Sequence, residues 1–305
     1  MILDGMTVIS KVDRVLKDRW RYWCPSVSDR LETARRLSEF YATRADYHAM
    51  TAKPEKRDHF QVKLLLDHIK SSDTCVEFGC GGGVVLEAVA ERAKRAVGMD
   101  IASLGLQKAI ARSQDRKNTL CLQADAACAP LRNECAAVVY CLEVLEHVWN
   151  PEVVLSEMVR VLRQGGLLFI STPNGFSLDL HLRLRWPIRA MNFLGAVSVY
   201  GRSMAERKTF RNTEPDLTTV PSYSDCDMIA KIFPRSLIKW MERNGCKVER
   251  METYFFQQAK SASEDSRTRF SALTKHRFYR YFGDHILLLA RKKDHCLQST
   301  RALPD

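Results

Sequence analysis

Between residues 71 and 174, short apolar runs alternate with longer amphipathic stretches. The run at 73–79 leads into glycines and then into 84–94, where Val85, Val89 and Ala93 share one helical face. Further strands are predicted at 95–100, 120–125, 136–141 and 167–172, with a helix at 102–112. The run 136–141 is apolar throughout, as a parallel strand buried on both faces requires. Another helix opens at Asn150-Pro151-Glu152, which combines a cap residue, a proline at the first helical position and an acid at the positive end. Gly165-Gly166 is expected to stop it. Alternation on this spacing predicts an α/β fold with a doubly wound sheet and right-handed crossovers.

The flanks are less regular. Residues 1–70 read as helical, with Leu31, Ala34, Leu37 and Tyr41 on one stripe. Residues 175–231 have no clean period and read as an insertion. A helix at 234–244, stopped at Gly245, precedes strands at 246–255 and 284–291, and 257–269 reads as an exposed loop. The expected organisation is an N-terminal helical cap (1–60), a core (61–174), an insertion or substrate lid (175–231), and a helix and strands completing the sheet (232–305).

Composition narrows the class. A chain of 305 residues, 46% hydrophobic and 27% charged, builds a full core and is no collagen, disordered tail or small disulfide scaffold. No apolar run reaches about 18 residues, so no membrane-spanning helix is expected. The first residues mix charge with apolar positions, unlike a secretory signal. These features predict a soluble, cytoplasmic protein. The ten cysteines include no Cys-x-x-Cys pair and read as reduced, buried hydrophobes. The net charge of +11 divides into +4 for 1–70, −2 for 71–174 and +9 for 175–305. Basic flanks suit nucleic acid, an anionic membrane surface or an acidic substrate, and equally a solvated face.

The sharpest motif is Val-Glu-Phe-Gly-Cys-Gly-Gly-Gly at 76–83, where glycines let the backbone turn tightly against a ligand. Dinucleotide folds place a third glycine where Val84 stands, and no lysine follows as in a phosphate loop. These departures argue against a nicotinamide dehydrogenase and a nucleoside triphosphatase. The next strand ends in Asp100, able to accept ribose hydroxyls or to cap the following helix, and the third ends in Asp125. Glycine, acid and acid at consecutive strand ends mark one ligand edge.

Together with Gly-Met-Asp at 98–100, Ala-Asp-Ala at 124–126, Leu-Glu-Val-Leu-Glu-His-Val at 142–148 and Gly-Gly-Leu-Leu-Phe-Ile-Ser-Thr-Pro-Asn at 165–174, this motif resembles the core of class I S-adenosylmethionine-dependent methyltransferases. The resemblance is tight over roughly a third of the chain. It implies a Rossmann-like, seven-stranded sheet whose last strand is antiparallel. It also implies S-adenosylmethionine as cofactor, bordered by Gly79, Cys80, Gly81 and Gly83, with Glu77 near its amino group and Asp100 and Ile101 at the ribose. Asp125 and Ala126 would meet the adenine, Cys141 and Leu142 the methyl end, and Arg57 the carboxylate.

The cluster Glu143, Glu146, His147 would share one face of a helical turn. It is similar to that of ubiquinone-pathway O-methyltransferases and small-RNA 2′-O-methyltransferases, which implies a magnesium ion on these three residues. The alternative is catalysis by His147 and Glu143 without metal, His147 acting as a plain base or pocket wall. Two departures separate the chain from these families. Lys231-Ile232-Phe233-Pro234 lacks the small-RNA enzymes' downstream histidines, and 175–245 lacks the quinone enzymes' substrate motif.

The expected reaction is methyl transfer to a small-molecule acceptor, most plausibly at oxygen. The rivals are an RNA methyltransferase and a silent cofactor-binding scaffold. Residues 181–201 interleave arginines with apolar residues and read as a lid or a peripheral membrane contact. Residues 270–280 interleave aromatics with cations, which fits RNA stacking or a solvated helix. Oligomeric state is not legible.

Overall fold

The structure is a computed structural model. It describes residues 37, 39–41, 43–44, 52–175, 210–212, 227–254 and 283–294, with the side chains of 211 and 212 left aside. Of the helical stripe, Leu37 and Tyr41 fall in helix, and Leu31 and Ala34 lie outside the described residues. Residues 181–201 and 257–280 also lie outside them.

The described elements run in chain order α1 (Phe60–Asp67), β1 (Thr74–Phe78), α2 (Val84–Ala90), β2 (Arg95–Asp100), α3 (Ser103–Ser113), β3 (Thr119–Gln123), β4 (Ala136–Leu142), α4 (Pro151–Val161) and β5 (Leu162–Pro173). There follow β6 (Phe210–Asn212), β7 (Ala230–Ile232), α5 (Pro234–Arg243), β8 (Cys246–Tyr254) and β9 (His285–Lys292). The main sheet has the order β3-β2-β1-β4-β5-β9-β8. Strands β1 to β5 pair in parallel. The last strand, β9, runs antiparallel to both its neighbours, β5 and β8. This is the seven-stranded, doubly wound sheet that the sequence predicts.

Alternating strand residues divide the core into two layers. Val76, Phe78, Val139, Cys141, Leu168 and Ile170 pack with Leu155 and Met158 of α4 and Leu237 and Trp240 of α5. Cys75, Val138, Tyr140, Leu167 and Phe169 pack with Leu65 of α1, Leu86 and Val89 of α2, and Leu106 of α3. The central strands are buried on both sides, which explains why their sequences run apolar without alternation.

Two features depart from the sequence reading. Helix α4 ends at Val161, not at the glycine pair, and β5 begins at once with a fully buried Leu162 paired to Ala136. The register then shifts, and Gly165 at φ 67° lies within that irregularity, so the glycines serve a bulge in the strand. The insertion contributes an antiparallel pair, β6 with β7, that no period revealed. Strand β7 is docked by Gly175 N–H donating to Ile232 O (2.8 Å) and by Ile229 N–H donating to Glu146 O (2.7 Å).

Candidate functional site

The strand order reverses between β1 and β4, and open α/β sheets bind ligands at the carboxyl ends beside such a switch point. The glycine loop leaves β1 there. Gly79 and Cys80 N–H both donate to Met99 O (2.8 and 2.9 Å), tying the loop to β2. Gly79 has φ 78°, and a Cβ on it would lie 2.3 Å from Val144 Cγ2, so only glycine lets the loop close against the chain after β4.

Asp100 Oδ2 accepts from Gly81 N–H (2.7 Å) and Oδ1 from Ala102 N–H (2.8 Å), joining the loop to the start of α3. Its backbone oxygen accepts from Ala124 N–H (3.0 Å), which brings Asp125 alongside. Asp125 is exposed and caps a 3₁₀ turn, Ala126–Cys128, through Ala127 N–H (2.8 Å). Gly81, Asp100 and Asp125 therefore stand side by side at one edge. Ile101, next to Asp100, exposes 56% of its surface, an apolar face at the mouth. Ala126 and Leu142 are half-buried. The Cys80 and Cys141 thiols are buried, and burial pushes both up, so these residues offer backbone, not thiol chemistry.

Glu77 lies beneath the loop, buried, with Tyr140 Oη donating to Oε2 (3.1 Å). Burial pushes its carboxyl up to about 8. The nearby positive charge of Lys56 acts in the opposite direction on Glu77 and also on Glu143. Arg57 instead pairs with Glu91 and lies 3.8 Å from Glu87, both on the α2 side. Lys56, which sequence reasoning passed over, is a positive charge that acts on both acids. Lys56 and Arg57 both lie in the 3₁₀ turn Pro54–Asp58, where neighbours point about 120° apart.

After β4 the expected helical turn does not form. Glu143 has φ 56°, and only a 3₁₀ turn, Leu145–His147, follows. Glu146 Oε1 and His147 Nε2 stay 3.5 Å apart, and each of the three candidate ligands also takes a partner of its own. Glu143 accepts from Ser171 Oγ and meets His285 Nε2 at 3.1 Å. Glu146 Oε2 accepts from Thr172 Oγ1 (2.8 Å). His147 Nδ1 lies 3.3 Å from Asp227 Oδ2. Among the described residues no three His, Cys, Asp or Glu side chains are arranged to hold a metal. The described residues give the magnesium reading no support, because the helical turn on which it rested is absent.

Sequence reasoning also missed Ser171, Tyr254, His285 and Asp227. Tyr254 Oη lies 2.9 Å from Ser171 Oγ, and His285 Nδ1 2.9 Å from Asp284 Oδ1. Burial disfavours charge on His285, but the Glu143 charge and hydrogen bonds to Asp284 and Glu143 outweigh it and hold the ring at about 10. Burial likewise tends to raise Glu143, and the His285 charge wins, keeping it below the usual carboxylate range. Burial pushes Glu146 up to about 8.

These groups set a pH dependence. Glu77 and Glu146, ordinarily at 4.5, keep protons up to about 8 in the folded chain, and His285, ordinarily at 6.5, keeps its proton to about 10. Between these limits the folded chain binds more protons than the unfolded one, so stability falls as pH rises. The melting temperature is expected to drop from pH 6 to pH 9, and Glu77→Gln, which cannot ionise, to flatten the slope. A melting temperature that rises over this range would contradict the assignment.

The donor set fits an adenosyl amino acid. Asp100 retains lone pairs for ribose hydroxyls beside its two backbone donors, Ile101 offers an apolar face to a base, and Glu77 is a buried carboxyl that an ammonium would compensate. Fold and site together resemble the core of class I S-adenosylmethionine-dependent methyltransferases. Residues 76–170 match the family model described as a methyltransferase domain. The Ubiquinone biosynthesis O-methyltransferase of Glaesserella parasuis serovar 5 is 32% identical over 105 residues, covering 32% of this chain and 44% of that protein. That of Idiomarina loihiensis is 35% identical over 101 residues, covering 32% and 42%. This chain thus spans less than half the length of these curated relatives. An S-adenosylmethionine-dependent methyltransferase structure from Mesorhizobium loti shares the fold, with TM-score 0.54 and 17% identity over 75% of this chain and 95% of that one. Among the described residues no helix is long and apolar enough to cross a membrane.

Proposed function

We propose that this protein transfers the methyl group of S-adenosylmethionine to an oxygen of a small-molecule acceptor. The carrying observation is the edge at which Asp100 binds Gly81 through its carboxylate and Ala124 through its backbone, so that glycine loop, acid and acid face one space. The O-methyltransferase names of the relatives support oxygen as the acceptor atom. Bound S-adenosylmethionine supplies a methyl on a sulfonium, ready for in-line displacement. The chain's part is alignment, worth several kcal/mol when reacting atoms are held at about 3 Å, and removal of the acceptor's proton. His147, at 14% exposure near the end of β4, is the base in this reading, with Glu143 beside it at the end of the same strand.

Calorimetry with S-adenosylmethionine and its demethylated product, followed by labelled methyl transfer to a panel of phenols and catechols, tests the proposal. Binding of both and transfer to at least one panel member are expected. No binding of either at millimolar concentration discards the reading. Transfer to RNA alone, falling steeply with salt, replaces the acceptor class.

A further inference from the structure

We infer that Arg160 is a positioning residue that sets a preference for an adenine base, acting through the loop that presents Asp125. The inference rests on the proposed methyl transfer from S-adenosylmethionine.

Arg160 lies in the last turn of α4 and engages all five of its N–H donors. Nε and Nη2 grip the Glu157 carboxylate as a fork, at 2.7 and 2.8 Å. The remaining donors go to the loop between the Ala126–Cys128 turn and β4. Nη2 donates to Ala129 O (2.9 Å), and Nη1 to Leu131 O (2.7 Å) and Asn133 Oδ1 (2.8 Å). Glu157 Oε2 in turn accepts from Ala129 N–H (2.9 Å), and Arg160 O accepts from Glu134 N–H (2.9 Å).

Ala129 thus has both its backbone groups on one ion pair. Residues 129–135 belong to no helix or strand, so their polar backbone groups must find partners outside a ladder. Here a single guanidinium supplies them. A lysine carries its donors on one nitrogen and has no planar fork, so it cannot serve acceptors spread over 129, 131, 133 and 157 together.

A short stretch of chain ties this ion pair to the ligand edge. Cys128 N–H donates to Asp125 O (3.0 Å) and Ala127 N–H to Asp125 Oδ1 (2.8 Å), so 125–128 is one hydrogen-bonded turn. It runs directly into Ala129. Upstream, Ala124 N–H donates to Asp100 O (3.0 Å). Asp125 therefore sits on a segment fixed at Asp100 on one side and at Arg160 on the other. Its side chain is exposed, where packing does little to hold it, so its direction depends on those two anchors.

The base of a donor whose ribose meets Asp100 extends past the apolar Ile101 toward Asp125. A carboxylate only accepts, and Ala127 N–H already engages Oδ1, so Oδ2 is the oxygen offered to the base. It selects a base whose edge donates, as the 6-amino group of adenine does.

Titration calorimetry on the full chain compares the demethylated product with its analogue whose purine lacks the 6-amino group. The wild type is expected to prefer the amino compound about 10-fold or more, as one hydrogen bond to a charged acceptor implies. Arg160→Lys keeps the charge but loses the fork, and is expected to weaken the amino compound about 5-fold or more and the analogue far less. A residue that only stabilises the fold weakens both compounds equally, so an unchanged preference in Arg160→Lys overturns the inference. Asp125→Ala is expected to remove the preference by itself, and Arg160→Lys added to it to weaken neither compound further. Losses that add overturn action through Asp125. Should Arg160→Lys fail to melt cooperatively, Glu157→Gln leaves the arginine in place and removes the charge under its fork. It is expected to lower the preference in the same direction, and a full preference there overturns the inference. A wild type that binds neither compound overturns the proposed function and this inference with it. One that binds both, with no preference or with a preference indifferent to Arg160, overturns the inference alone.

Discussion

Replacing Asp100 with alanine is expected to weaken S-adenosylmethionine binding about 100-fold. The carboxylate makes two short bonds to backbone N–H groups, Gly81 at 2.7 Å and Ala102 at 2.8 Å. Hydrogen bonds to a charged acceptor contribute roughly 1.5–3 kcal/mol each, so losing two removes about 3 kcal/mol or more from the geometry of the loop and the ribose site. Asp100→Asn keeps the shape and one good acceptor oxygen, but turns an amide toward the second N–H. It should lie between wild type and alanine. Titration calorimetry measures both, with thermal melting to separate lost affinity from lost fold. An alanine variant that binds like wild type would remove Asp100 from the site.

Gly83→Ala is expected to destabilise the fold by about 3 kcal/mol, read from urea unfolding. Two effects add. The φ of 75° is a left-handed conformation that costs a side-chain-bearing residue about 1–2 kcal/mol. The new Cβ would also lie 2.7 Å from Ala109 Cα, which belongs to the backbone of α3, so relief requires moving α3 away from α2. Overpacking of this kind costs about 1–3 kcal/mol. Gly165→Ala is the internal comparison. It has φ 67°, but its nearest neighbour to an added Cβ is Asp294 Oδ1 at 3.8 Å, so only the conformational part applies. Equal losses in the two variants would show that crowding at Gly83 is not what the glycine avoids.

Much of the fold was legible because each central strand must be apolar on both faces. The runs near 73–79, 95–100 and 136–141 reappear as β1, β2 and β4 with boundaries shifted by a residue or so. Where the reading failed, a local signal was outweighed by packing. The Gly165-Gly166 pair reads as a helix stop, yet Leu162 is already fully buried in β5, and the glycines accommodate a bulge. The Glu-x-x-Glu-His spacing invites a helical turn, yet the chain takes φ 56° at Glu143, which sends that carboxylate to Ser171 and His285. A positive φ on a glutamate has no sequence signature, because only the surrounding contacts sustain it.

The chain by itself determined the parallel core, the glycine loop and the two acids after β2 and β3, because each depends on residues close together in sequence. Hydrophobic period and turn chemistry act over that range. Tertiary structure alone decided that Arg57 pairs with Glu91, that Glu143 turns to Ser171 and His285, and that Tyr41 and Asp227 meet at His147. Those outcomes depend on side chains from distant segments sharing a low-dielectric interior, where burial and neighbouring charge set protonation and direction, and no local pattern encodes which segments will meet.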